Sequence, residues 1–190
     1  MAMPDFVERY WTAEDLLQLP DDGNRYECID GVLLVTPAPR GHHFYVVDAF
    51  LEALREFART LRPDAWLFHA PVDVEIWPQT LVEPDIFVAR RKQGIARIMQ
   101  PADIRDLLLA IEVLSPSTAR TDRGRKREFY QRAGVHEYWI VDHAARVVER
   151  WRPTDSRPEI LSGTLTWHPE GATASLEIDL PALFRDALGE

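Results

Sequence analysis

The sequence predicts a mixed α/β fold (α+β mixed) in which helices pack against a central mixed β-sheet. Three observations carry that expectation. Residues 107–114, "LLLAIEVL", are apolar apart from Glu112, the signature of a central strand buried on both faces. Between about residues 42 and 61, Phe44, Val47, Leu51, Leu54, Ala58 and Leu61 recur at spacings of three and four, which marks one face of a long helix. The chain then orders its patterns as helix, hairpin, long helix, several strands, helix and more strands, an order suited to a sheet with helices laid on it.

Each element has its own local reason. Thr12 opens "TAEDLLQL", with Asp15 at the third helical position and Pro20 beyond, which predicts a short capped helix. In "RYECIDGVLLVTP" two strand-like runs flank Asp30-Gly31, a hairpin signal. The long helix follows, with Pro63 just past its end. "AWLFH" and "VDVEI" are short strands, Pro78 lies in the turn after them, and "DIFVAR" is another strand. Residues 90–106 are polar and basic and predict a loop with a helical turn or two. "SPST" breaks the central strand, and a basic helix of roughly 122–133 ends at Gly134. "HEYWIVD" and "ARVVERWRP" pair through a turn at His143-Ala144. The tail holds weaker strands and a short helix at "PALFRDAL".

With 190 residues, 46% hydrophobic and 28% charged, the chain fits one domain spanning 1–190. No apolar run approaches the roughly 18–20 residues of a membrane span. The N-terminal "MAMPDFVERYWT" lacks a basic stretch followed by an apolar one, so no signal peptide is expected. A single cysteine, Cys28, excludes an internal disulfide and a multi-cysteine zinc site. These points predict a cytoplasmic protein.

The net charge of −9 argues against nucleic acid until its distribution is considered. Residues 90–132 hold eleven Lys/Arg and five Asp/Glu. A basic middle in an acidic chain is either a solvated helix surface or a face that meets a polyanion.

Two acids stand in or beside apolar strands: Asp85 in "VEPDIFV" and Glu112 in "IEVLSPS". A charge inside a buried strand costs several kcal/mol unless compensated. If the two strands are neighbours, the carboxylates converge into a pair of hard oxygen ligands suited to Mg²⁺ or Mn²⁺. Taken singly, either acid can equally accept a hydrogen bond or pair with an arginine. Lys126 lies fourteen residues after Glu112, early in the next helix. It can aim at the same point and stabilise charge on a phosphate or orient a water, or be one more solvated cation. His42 and His43 are read as surface histidines, Ser115 and Ser117 as part of a turn and cap, Tyr130 as helix packing, and Cys28 as structural.

"EPDIFV", "LAIEVLSPST" and "DRGRKREFYQRAGVHEYWIVD" together resemble the Uma-type family of restriction endonucleases, within the PD-(D/E)XK nuclease superfamily. "RYECIDGVLL" matches its N-terminal hairpin and His42-His43 the start of its long helix. The resemblance covers about residues 11–151 and implies a restriction-endonuclease-like fold. It implies that Asp85 and Glu112 are metal ligands, with the Val113 carbonyl as a further ligand and Glu27 completing the site. The superfamily motif requires lysine at 114, where this chain has Leu114. The family shares that departure, and its lysine comes from the following helix, here Lys126. The implied activity is Mg²⁺- or Mn²⁺-assisted hydrolysis of DNA phosphodiesters. Arg123, Arg125 and Arg127 would contact the DNA backbone, and a homodimer would cut both strands. The rival expectations are a non-catalytic binding module on the same fold and a hydrolase of another phosphate ester.

Overall fold

A computed structural model describes residues 10–37, 41–62, 64–90 and 106–189. Thr12 caps the first helix, α1 (Ala13–Leu16). Its hydroxyl accepts from the Asp15 N–H at 3.2 Å while the Asp15 carboxylate accepts from the Thr12 N–H at 2.9 Å, a capping box. The hairpin forms as the sequence implies, from β1 (Asn24–Ile29) and β2 (Val32–Pro37).

The hairpin turn needs backbone that most side chains avoid: Asp30 has φ 52° and Gly31 φ 77°. A Cβ on Gly31 would also lie 2.5 Å from Tyr10 Cδ1. Gly31→Ala is therefore expected to cost about 1–2 kcal/mol for the left-handed conformation, with Tyr10 forced to move. Urea denaturation of the variant checks this.

The long helix is α2 (His42–Thr60). Leu51, Leu54, Ala58 and Leu61 of the expected stripe are buried and Val47 is half-buried against the core, but the first turn of the helix is rotated from the sequence expectation. Phe44 is exposed, and the core receives His43, Val46, Phe50, Leu51, Leu54, Phe57 and Ala58. Apolar residues at positions 44–47 allow two stripes that share Leu51, Leu54 and Ala58, and packing against the sheet takes His43 and Val46 in place of Phe44.

The main sheet has six strands in the order β10-β9-β8-β7-β6-β3. They are β3 (Ala65–His69), β6 (Ile86–Arg90), β7 (Leu107–Val113), β8 (Glu137–Asp142), β9 (Val147–Trp151) and β10 (Glu159–Leu161). As its apolar run implies, β7 is central and buried throughout. It pairs antiparallel with β6 and parallel with β8. A smaller sheet, in the order β2-β1-β5-β4, adds β4 (Val74–Trp77) and β5 (Thr80–Val82). The sequence reading did not anticipate β5, a three-residue strand that follows the Pro78 turn. A third, two-stranded sheet joins β11 (Thr164–Trp167) and β12 (Leu176–Asp179), ahead of α5 (Leu180–Leu188).

The alternation of β6 and β7 divides the interior in two. Ile86, Val88, Ile111 and Val113 face a core shared with α2 and α5, around Phe50, Leu54 and Phe184. Phe87, Ala89, Ala110 and Leu114 face a second core with Ile29, Val82, Phe129 and Tyr130. Glu112 emerges on this second side.

The basic helix proves to be three segments: α3 (Ala119–Thr121), a π-helical turn (Asp122–Lys126) and α4 (Arg127–Arg132). Gly134, at φ 74°, follows the helix end. Within the π turn Asp122 and Lys126 are buried, whereas Arg123 and Arg125 are exposed. Such turns recur at functional sites. The loop expected over 90–106 falls, between its ends, outside the described residues. Those ends meet, with the Arg90 N–H donating to the Asp106 carbonyl at 2.8 Å.

Candidate active site

Sheet register brings the two strand acids together. Ile86 pairs with Ile111 in the antiparallel β6–β7 ladder. One step further, Asp85 stands opposite Glu112, with both side chains on the face that meets the second core. The Val113 N–H donates to Asp85 Oδ2 at 2.8 Å, tying the end of β7 to this carboxylate.

Three elements supply partners. From β1, Arg25 Nη1 reaches Asp85 Oδ1 at 3.1 Å, and its Nε reaches Glu83 at 2.7 Å. From the first turn of α2, His43 Nε2 lies 3.0 Å from Asp85 Oδ2. From the π turn, Lys126 Nζ lies 2.8 Å from Glu112 Oε1 and 2.8 Å from Glu27 Oε2. The Tyr130 hydroxyl donates to Glu112 Oε1 at 3.2 Å, and Glu27 Oε1 accepts from the Glu83 N–H at 2.9 Å. Glu27, Asp85, Glu112 and Lys126 are each no more than 3% exposed.

These contacts set the charge states. Burial pushes Asp85 up, but the His43 bond, the His43 and Arg25 charges and the Val113 N–H together hold it below the usual carboxylate range. With Asp85 ionised, His43 carries its proton on Nε2, and its Nδ1 has no partner among the described residues. Burial drives Glu112 well above its ordinary value; Lys126 opposes this, and Asp85, Asp122 and Glu27 reinforce it. Asp122 is pushed up to about 6, chiefly by burial, and its Oδ1 has no hydrogen-bond partner among the described residues. Burial would lower Lys126, yet Glu112, Glu27 and Asp122 outweigh it and hold the ammonium charged.

A small pocket of about 20 Å³ is lined by Arg25, Glu27, His43, Asp85, Glu112 and Lys126, among others. That volume admits one water-sized body. Three carboxylates face two permanent cations, and all the acidic donors are hard oxygens, so the set fits a small divalent cation. Among the described residues no three His, Cys, Asp or Glu side chains converge on one ion position. Two carboxylates, a backbone carbonyl and waters form a sphere that Mg²⁺ accepts.

Several expectations change here. His43 is a buried partner of Asp85 rather than a surface histidine. Tyr130 packs in the second core and also meets Glu112. Arg25 and Asp122 drew no attention in the sequence. Signals for three of these residues were present: Arg25 precedes Glu27 by two on a strand, Tyr130 follows Lys126 by four, and His43 leads the stripe of Val46 and Phe50. The Ser115 hydroxyl bonds with those of Ser117 and Thr118 in the turn after β7, as a turn and cap require.

The structure does not bring Arg123, Arg125 or Arg127 to the pocket. Arg123 pairs with Asp142 and Glu149 at 2.8 and 2.6 Å. Arg127 pairs with Glu128 at 2.9 Å and lies over Trp151. Arg125 is exposed, beside Arg132 and Glu128.

Comparison with known proteins agrees with this architecture. A search of curated proteins finds no match. The crystal structure of "a putative nuclease belonging to DUF820" from Anabaena variabilis has a similar fold, with a TM-score of 0.74 and 20% identity. The match covers 93% of this chain and 99% of that one. The family model Uma2, described as "Putative restriction endonuclease", matches residues 13–187. With nearly the whole chain matched and the fold shared, the protein belongs to the Uma2 family of restriction-endonuclease-like proteins.

Proposed function

We propose that this protein is a metal-dependent endonuclease that hydrolyses DNA phosphodiesters, acting as a single 1–190 domain, in the cytoplasm, as a homodimer. The observation that carries the reading is the pocket shared by Asp85, Glu112 and Lys126, at the end of two paired strands and the turn that follows them. Asp85 and Glu112, with the Val113 carbonyl, would hold Mg²⁺ or Mn²⁺. Such an ion, when bound, supplies Lewis-acid polarisation of the phosphate and a water of lowered pKa.

The chain's own groups do the remainder. Arg25 and His43 keep Asp85 ionised and fixed in orientation. Lys126 carries a permanent positive charge to the pocket, where it stabilises negative charge developing on the phosphate oxygens or orients the attacking water. Glu27 holds the lysine from its other side. Tyr130 fixes the Glu112 carboxylate. Of Arg123, Arg125 and Arg127, Arg125 is the one whose guanidinium has no ion pair among the described residues. It is the member of the Arg123, Arg125 and Arg127 set best placed to meet a DNA phosphate.

Purified protein is expected to nick or cut plasmid DNA with Mg²⁺ or Mn²⁺ and not with EDTA. Asp85→Asn is expected to lower the rate by about 10²–10³-fold, as loss of one preorganised electrostatic group does, with an unchanged far-UV spectrum. A panel of duplex DNA, single strands, RNA and a small phosphodiester fixes the substrate. Tight DNA binding without turnover by the wild type would make the protein a binding module, and undiminished cleavage by Asp85→Asn would remove the proposed site.

A further inference from the structure

A second concave surface lies between α2 and the edge strand β3, away from the pocket just described. It encloses about 280 Å³ and is lined by Leu51, Arg55, Ala58, Arg59, Arg62, Leu67 and His69. Its polar groups are three guanidinium groups and an imidazole, with no carboxylate among them. Arg55, Arg59 and Arg62 are exposed, and none joins an ion pair among the described residues. Glu52 and Glu56 occupy the same helix but do not line the groove. Arg62 lies over the Trp66 ring, 4.7 Å from its centroid, which braces one guanidinium at the groove's end. By contrast Arg25, Arg90, Arg123, Arg132 and Arg150 all have carboxylate partners.

Both walls of this groove lead to the candidate active site. The first turn of α2 presents His43 to Asp85 at 3.0 Å. At the end of β3, His69 pairs with Ile86, the residue after Asp85, and the next N–H, of Ala70, donates to the Asp85 carbonyl at 3.1 Å. Arg55, Arg59 and Arg62 follow His43 by 12, 16 and 19 residues. At 1.5 Å per residue Arg55 and Arg59 lie about 18 and 24 Å from it along the helix axis, and Arg62 follows just past the end of α2. Phosphates on one strand of a duplex are spaced about 3.4 Å along its axis, so these distances correspond to about five to seven base steps.

We propose that the α2–β3 groove binds the phosphodiester backbone of the nucleic acid to one side of the cut, through Arg55, Arg59 and Arg62. The inference rests on the nuclease reading and adds a binding surface to it. Arginine forks match phosphate oxygens, and a chain of net charge −9 needs a local cationic surface to hold a polyanion. Contacts of this kind supply affinity and register without reading sequence.

The test measures binding of a 30-base-pair duplex in Ca²⁺, which occupies hard-oxygen sites and slows cleavage, as a function of salt. Removing one phosphate-binding charge should lower the magnitude of the negative slope of log K against log[salt] by about 0.9. Arg55→Gln/Arg59→Gln/Arg62→Gln is expected to lower it by about 2–3 in all, by that rule. Glutamine is a good helix former, and an unchanged melting temperature verifies the fold. Arg157→Gln, between β9 and the opposite edge strand β10, removes one charge elsewhere and should change the slope by less than about 0.3. Duplexes centred on the cleavage position, with flanks trimmed below about five base pairs, should bind wild type and triple variant alike.

An unchanged slope in the triple variant, with wild type binding, overturns this proposal and leaves the nuclease reading standing. No wild-type binding at any salt overturns both. Equal protection of the groove by inorganic pyrophosphate and by the duplex, read by hydrogen exchange of α2, makes it a small-anion site and overturns the backbone assignment.

Discussion

Replacing Lys126 with methionine is expected to destabilise the metal-free protein by about 3–5 kcal/mol, the usual cost of removing one partner from a buried ion pair. The ammonium is the shared partner of Glu112 and Glu27, at 2.8 Å from each, and all three groups are buried. Methionine fills similar volume, so the loss is electrostatic rather than a cavity. Two consequences separate this account from a simple packing defect. Adding Glu112→Gln to Lys126→Met should recover part of the loss, because one of the two carboxylates left without the ammonium is then neutral while Glu27 remains; a double-mutant cycle in urea measures the coupling. Mn²⁺ should raise the melting temperature of Lys126→Met more than that of the wild type, since the cation replaces the missing counter-charge. If the proposed function holds, DNA cleavage should nevertheless fall, because Lys126 would act on the phosphate or the water as well as on Glu112. A variant as stable as wild type in EDTA would contradict the assignment.

The second large effect is a pH dependence traceable to Asp122. Its carboxyl titrates near 6 in the folded protein against an ordinary 3.8, with burial as the main cause. The folded-state value is raised, so the protonated form favours folding. That stability is fully present below about pH 3.8 and is lost as pH rises through about 6. At about 1.4 kcal/mol per pH unit, the loss approaches about 3 kcal/mol at neutral pH. Asp122→Asn should match wild type near pH 4 and exceed its stability near pH 7. Part of the gain is returned, because Asp122 also helps hold Lys126 charged. Asp85 has the opposite sign: its value is lowered, so its contribution is present above 3.8 and lost only as pH falls. Urea denaturation from pH 4 to 8, compared between wild type and Asp122→Asn, isolates the Asp122 component. A difference that does not grow with pH would exclude it.

Much of this architecture was legible locally. Capping by Thr12, the turn at Asp30-Gly31, the central character of residues 107–113 and the helix end at Gly134 each depend on neighbours within a few positions. Their physics is that of caps, turn dihedrals and hydrophobic period, which a sequence displays directly. The two site acids were legible for a related reason: a carboxylate in an apolar strand is costly enough to require explanation. The phase of α2 was less secure. Phe44 and His43 exchange roles between the two readings, and periodicity constrains the spacing of a stripe better than its exact rotation.

The sequence by itself determined most of the elements, their order and the acids that demand a partner, because each follows from short-range chemistry; the short strand β5 and the π turn it did not show. Only the tertiary structure decided which groups meet them. Arg25 and His43 reach Asp85 across 60 and 42 residues, and Lys126 joins Glu27 to Glu112 across two strands and a π turn. Arg123 and Arg127 turn to Asp142, Glu149 and Glu128 instead of the pocket. Charges separated by that much chain are paired by sheet register and helix placement, and the free energy of those pairs depends on a burial that exists only after the whole fold has closed.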